Sequence, residues 1–417
     1  YLKAKGAAKS ELRGKEEFVR VSWDMALDLA AKALKENFDK YGPESIYGEC
    51  YWWGGSGKIS WGRTVGHRML KVLGGYVEES GDYSTGAGLV IMPHVLGNSA
   101  VYDAPTKWEA IAKNAKNVVF WGTDPLVTGQ ISWQPPTHDG YLGIKKIKEA
   151  GIKTYSVCVF KNDTTRYLGS EAIIVRPNTD TALIIGMCHY LFTNNLYDEE
   201  FIKKYTVGFN KFKDYFLGTQ DKVVKDIEWA SKICGLKASL IKELAGTFAA
   251  NRTMIMSGWG MQRAHHGEQP HWAMVTLAAM LGQIGLPGGG FGLSYHYSNG
   301  GAPTCKGAVI GGVNSASVGK FNDKGEFIGT DTGEFDKHGR FVAKAAAAAG
   351  TGQSWLQKAT DYAFPVARIA DALLHPGKVI DHDGKKITYP DIDFIYWVGG
   401  NPFCHHQDTN TLVKAWQ

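Results

Sequence analysis

Residues 47–60 read YGECYWWGGSGKIS, with Gly54, Gly55, Gly57 and Lys58 following a short apolar run. Glycines and a lysine after a strand suggest phosphate binding. A phosphate loop needs G-x-x-x-x-G-K-[ST], so that backbone amides cradle phosphate, the lysine reaches it and a hydroxyl holds magnesium. Here Ile59 takes the hydroxyl position and Trp52 the leading glycine position. Two required positions fail, which argues against a P-loop nucleotide hydrolase. What remains is Tyr51, Trp52 and Trp53. They are either packing below a strand end or donors above an apolar wall, where ligands of open α/β sheets bind.

Three other loops carry chemistry-bearing residues. Gly81-Asp82-Tyr83-Ser84-Thr85-Gly86 is either a capped turn or a single hydroxyl presented at a site. Gly258-Trp259-Gly260-Met261-Gln262-Arg263 runs into His265-His266-Gly267-Glu268. Adjacent histidines point to different faces, so this is not the helical two-histidine zinc motif. An arginine beside a tryptophan at a strand end suits recognition of a polar substrate, against the plainer reading of a structural loop. Gly399-Gly400-Asn401-Pro402-Phe403-Cys404-His405-His406 brings amide and imidazole groups to another strand end. The run Leu286–Gly292 is rich in glycine but lacks the dinucleotide spacing. The six cysteines include no CxxC pair, so neither an iron–sulfur cluster nor a cysteine zinc site is signalled.

The elements that must position these loops alternate along the chain. Ser22 caps an amphipathic helix that Gly42-Pro43 ends. Strands are expected at 45–48, 117–121, 153–159, 172–175, 253–257 and 393–398. Helices are expected near 61–73, 141–150, 180–193, 198–205, 226–234, 238–250, 270–281 and from 408. This is an α/β pattern with mostly parallel, twisted sheets and flanking helices. Residues 313–363 change texture, polar and rich in glycine and alanine, and read as a long, mobile surface insertion.

At 417 residues the chain is too long for one ordinary domain. A composition of 44% hydrophobic and 21% charged residues is that of a globular enzyme. Thirteen tryptophans suggest large amphipathic surfaces around a bulky ligand. The net charge of +5 is spread out, as at Lys145, Lys146 and Lys148, and gives no nucleic-acid footprint. No apolar stretch reaches the roughly 18–20 residues of a membrane span. Tyr1 and the end at Gln417, inside a helix, suggest a partial chain with any targeting segment upstream.

Several strand-end loops carrying Trp, Arg, Asn, Asp, His and Gly suit one large polar ligand. With the strings CYWW, GDYSTGAG, VFWGTDP, RPNTD, GWGMQRAHHGEQPHW, LAAMLGQIGLPGGGFGLSYHYSNGG and GGNPFCHHQDTN, the sequence resembles the molybdopterin oxidoreductases of the dimethyl sulfoxide reductase type. The matching strings run through nearly the whole chain.

The resemblance implies a multidomain α/β fold with domains I–III in part and the C-terminal domain absent. Residues 1–20 would be a remnant of the N-terminal domain. Residues 21–115 with 396–417 would form the domain carrying the metal ligand. Residues 116–395 would form a doubly wound cofactor-binding domain holding the insertion. It also implies molybdenum bis(molybdopterin guanine dinucleotide), with Ser84 as the protein ligand to the metal, a hard oxygen donor. Tyr51 and Trp53 would reach the transferred oxygen, and Trp259 and Arg263 would line the substrate pocket. Trp53, Thr128, Asn178, Thr179, Asp180, Trp259, Gly260, Arg263, Asn401 and His405 would contact the large cofactor.

Ser84 argues against formate oxidation and nitrate reduction. Tyr51 tilts the reading towards reduction of S-oxides, with N-oxides also accepted. The alternatives are a trimethylamine N-oxide-preferring reductase or an inactive fragment of such an enzyme. Three positions depart from the family: Trp52 replaces a usual glycine, Val127 a common lysine, and Val157-Cys158-Val159 the usual acidic or amide group after a strand. The last departure weakens one guanosine contact. Electrons would come from an external donor such as a c-type cytochrome, in the periplasm for most relatives and the cytoplasm for some.

Overall fold

The computed structural model describes residues 15–50, 62–81, 84, 86–98, 100–103, 105–130 and 138–295, four short strands between 319 and 343, and residues 363–382 and 384–417. The chain divides into two compact units, residues 1–83 with 307–417 and residues 84–306.

In the first unit Ser22 accepts a hydrogen bond from the Met25 amide at 3.2 Å and starts the helix Trp23–Tyr41. Gly42, at φ 81, ends it. Strand β1, Ile46–Cys50, follows. The helix Gly62–Leu73 leads to β2, Glu78–Ser80.

The second unit is built on five parallel strands: β3 Asn117–Trp121, β4 Lys153–Cys158, β5 Glu171–Ile174, β6 Thr253–Ser257 and β7 Gly290–Leu293. Their order across the sheet is β5-β4-β3-β6-β7, with every pairing parallel. Chain order therefore reverses between β3 and β6, which is the switch point of a doubly wound sheet. Alternation along β3 explains its run of apolar residues. Val118 and Phe120 pack with Trp108, Ile111, Ile144 and Ile147 on one face. Val119 and Trp121 pack with Leu183, Met187, Ile241 and Leu277 on the other. Both faces are covered, so the strand has no polar side. The helix Asp180–Thr193 is central to the second face and lies against the helix Ile227–Cys234.

Returning to the first unit, β8 Gly319–Phe321, β9 Phe327–Thr330, β10 Gly333–Phe335 and β11 Phe341–Ala343 form an antiparallel meander. The stretch read as a long, mobile surface insertion thus contains a small sheet. Strands β12 Ala363–Pro365, β13 Val379–His382, β14 Lys385–Thr388 and β15 Phe394–Val398 complete the set. β1 pairs in parallel with β15, and β2 with β12. Tyr47, Val77, Phe364, Ile369 and Tyr389 form the core beneath them.

The division differs from the partition expected at 115 and 396. The helix Gly86–Leu96 packs Met92 against Val275 and Leu293 of the second unit. The helix Trp108–Asn114 packs Trp108 and Ile111 on Ile144 and Ile147. Residues 363–395 join the first unit because β12 hydrogen-bonds to β2 and Phe364 stacks on Tyr47 at 5.2 Å.

Candidate functional site

Because the five strands are parallel, the loops after β3, β4, β5 and β6 lie on one edge of the sheet. At the switch point the Gly258 amide donates to Trp121 O at 3.0 Å. A Cβ on Gly258 would lie 2.4 Å from Gly122 O, so the β3 and β6 loops touch through backbone and glycine is required. Thr123 Oγ1 is buried beside this contact and has no hydrogen-bond partner among the described residues.

The loop after β3 is tied to the loop after β4. Asp124 accepts from the Thr164 amide at 2.9 Å and its hydroxyl at 2.6 Å. Asn162 donates to Thr123 O at 3.0 Å and caps the helix Asp163–Leu168. Thr128 is exposed, its hydroxyl donating to Asp124 O at 3.0 Å, and Val127 is exposed beside it. The Cys158 thiol donates to Ser156 O at 3.4 Å, and burial raises its pKa.

After β5 the chain forms Arg176–Asp180. Arg176 donates to the carbonyls of Lys232 and Ile233, serving the C-terminus of a helix. Asn178 is exposed in the left-handed conformation, φ 62, and Thr179 donates to Arg176 O at 2.6 Å. Asp180 begins a helix and is 8% exposed. The Trp121 indole donates to its Oδ1 at 2.7 Å, reaching it from within the core. Burial raises the Asp180 pKa, while the Trp121 donor and a backbone hydrogen bond oppose that shift.

After β6, Trp259 lies nearly parallel to Tyr102, ring centroids 6.0 Å apart. Gly260 starts a short 3-10 turn and Arg263 is exposed at its end. Gln262 is 6% exposed. Its Oε1 accepts from the Gly88 amide at 2.9 Å and its Nε2 donates to Ser84 O. Ser84, Trp259, Gly260, Gln262 and Arg263 thus form one neighbourhood. His271 is fully buried behind it, with Nδ1 against Ser257 Oγ at 3.1 Å and Nε2 without a partner among the described residues. Burial lowers its pKa to about 4, so it stays neutral.

In the first unit, Asn401 Oδ1 accepts from the Phe403 amide at 3.0 Å and caps the short helix Pro402–His405 after β15. His405 is exposed at its end. Tyr51 and Trp53 follow β1 but lie outside the described residues, as does Trp52. Sequence reasoning missed Gln262, His271 and the Trp121–Asp180 bond. No local pattern announces a partner 174 residues away.

A family model for molybdopterin oxidoreductases matches residues 1–417. The chain belongs to this family. It is 46% identical over its full length to a trimethylamine-N-oxide reductase of Haemophilus influenzae. It is 45% identical, over 98% of its length, to a dimethyl sulfoxide/trimethylamine N-oxide reductase of Rhodobacter capsulatus. These matches cover 47% and 46% of the relatives, so the chain spans about half their length. Among solved structures, acetylene hydratase from Pelobacter acetylenicus aligns with 67% of this chain and 35% of its own, at TM-score 0.43 and 21% identity.

Family membership implies a molybdenum–pterin cofactor. The residues present fit such a group. The Thr123 hydroxyl at the switch point is buried and without a hydrogen-bond partner among the described residues, and an indole-oriented carboxylate sits on the same sheet edge. Among the described residues no cluster of His, Cys, Asp and Glu is arranged to hold a metal ion by itself. A metal carried by an organic cofactor and completed by one side chain does not need such a cluster. No helix among the described residues is long and apolar enough to cross a membrane.

Proposed function

We propose that the chain is part of a molybdenum-dependent reductase that removes the oxygen atom from S-oxides and also accepts N-oxides. The supporting observation is identity of 45–46% across this chain to relatives named for both substrate classes. Tyr51, which resembles the tyrosine of the S-oxide reducers, favours S-oxides. The second reading, a trimethylamine N-oxide-preferring enzyme, is favoured by the name of the 46% relative. Turnover of purified full-length holoenzyme on dimethyl sulfoxide and trimethylamine N-oxide separates them. Efficient amine-oxide turnover with none on sulfoxide overturns the first reading. Molybdenum analysis tests the remaining alternative, an inactive fragment: near-stoichiometric metal on this chain rejects it.

The proposed cofactor is the bis(molybdopterin guanine dinucleotide) form. When bound, it supplies the two-electron redox chemistry and accepts the oxygen atom. The chain's own residues bind and orient. Ser84 Oγ would complete the metal's ligand set. Tyr51 OH and Trp53 Nε1–H would donate to the oxygen as charge develops on it. Trp259, backed by Tyr102, would wall the substrate, and Arg263 would offer it a cation. Thr128, Asn178, Thr179, Asp180, Gly260, Asn401 and His405 would serve the guanosine and pyrophosphate groups. Asp180, oriented by Trp121, is suited to accept the two donors of a guanine edge. Electrons would come from an external c-type cytochrome, in anaerobic respiration in the periplasm. Ser84 begins the unit 84–306, so that unit would supply the metal ligand.

A further inference from the structure

We propose that Gln262 is a positioning residue that fixes the Ser84 turn, holding both of its ends through one buried side-chain amide. The inference deepens the proposed role of Ser84 and rests on it for its functional consequence.

The helix Gly86–Leu96 begins two residues after Ser84. Gly88 is its third residue, so its N–H has no partner inside the helix. Such an amide is ordinarily served by the helix's own N-cap side chain, here from within the turn. Gln262 Oε1 accepts it at 2.9 Å, from the loop after β6. The other end of the same amide donates to the Ser84 carbonyl. One planar group therefore spans the turn, its acceptor on the helix side and its donor on the serine side.

The latch is anchored on its own side. A Cβ on Gly267 would lie 1.9 Å from Gln262 O, so the β6 loop folds closely over the Gln262 backbone. Behind the turn, a Cβ on Gly88 would meet Leu293 at 3.1 Å and Gln262 Oε1 at 3.5 Å. The turn is thus walled by β7 and tied to β6, the strand at the switch point. Burial of Gln262 at 6% exposure makes loss of either hydrogen bond costly. A glutamine suits the place because it is neutral and carries both a donor and an acceptor. A carboxylate would keep the acceptor towards Gly88 but set oxygen against the Ser84 carbonyl.

The test uses full-length holoenzyme with Gln262→Met, Gln262→Glu and Ser84→Ala. Gln262→Met retains volume and loses both bonds; Gln262→Glu retains one and guards against a variant that fails to fold. Amide hydrogen exchange across residues 84–96 is expected to quicken on the order of tenfold at Gly88 in Gln262→Met, and less in Gln262→Glu. The spectroscopic signature of the metal centre is expected to shift in both. Unchanged exchange at Gly88 in both variants overturns the latch, whatever Ser84→Ala does. If exchange quickens and Ser84→Ala alters the metal signature while neither Gln262 variant does, the positioning role is overturned although the ligand reading stands. If Ser84→Ala leaves the signature unaltered, the ligand reading fails, and quickened exchange then supports Gln262 only as the structural latch.

Discussion

A buried side chain at this site is often defined by what it cannot do. His271 cannot charge without losing its environment. Its pKa falls from 6.5 to about 4 through burial. The unfolded chain takes up a proton as pH drops through 6.5, while the fold does so only near 4. The contribution is therefore fully present above pH 6.5 and is lost as pH falls between the two values, by up to about 3 kcal/mol. Denaturant titrations should show this slope in the wild type and a flatter one in His271→Gln; identical slopes would assign the acid sensitivity elsewhere. Tyr51→Phe tests the oxygen-contacting donor. Loss of one donor aimed at developing charge should lower S-oxide kcat by about a hundredfold with metal content intact. Unaltered kinetics would remove Tyr51 from the chemistry. Trp259, Arg263 and Asn401 were legible as strand-end residues because apolar runs precede them. Gln262 and Trp121 were not, since their meaning lies in partners distant in the chain.

At the scale of elements, legibility follows burial. Asn117–Trp121 and Thr253–Ser257 stand out as apolar runs because both faces of the sheet are covered. Capped helices such as Ile227–Cys234 announce themselves through Asp226, which accepts from the Trp229 amide at 2.8 Å. Two kinds of element stayed hidden. β7 is a strand written GFGL, whose glycines imitate a turn but allow close packing; a Cβ on Gly292 would lie 2.5 Å from the Tyr295 ring. The helix Gly86–Leu96 has Pro93 inside it and no polar face, so helical periodicity gave no signal. Close packing also decides a substitution. A Cβ on Gly186 would lie 2.5 Å from Ala230 Cβ, where two helices meet. Gly186→Ala gains up to about 1 kcal/mol of helix propensity. Overpacking the contact costs about 1–3 kcal/mol, because neither backbone can withdraw from its core. The variant should therefore melt below the wild type; a higher melting temperature would show that the helices separate easily.

At the scale of the whole molecule, the two edges of the five-stranded sheet in the second unit differ in what they present. In the second unit the switch-point edge holds Thr123 Oγ1, the exposed residues 176–178 and 263–266, and the His271 nitrogen behind them. At the opposite edge Gln283 accepts from the Thr253 amide and donates to Asn251 O at 2.8 Å, and Lys116 and Asn117 donate to Arg252 O. A large cofactor on the switch-point edge should order that edge and leave the opposite one alone. Hydrogen exchange on full-length protein with and without cofactor tests this. Amides of 122–128, 176–180 and 258–267 should exchange more slowly in the loaded protein, while those near 116–117 and 251–253 change little. Binding only to the native state also raises global stability, by about 4 kcal/mol when cofactor exceeds its dissociation constant a thousandfold. Protection spread evenly over both edges would mean that stabilisation comes from tightening the whole fold, and the switch-point edge would lose its claim to the cofactor.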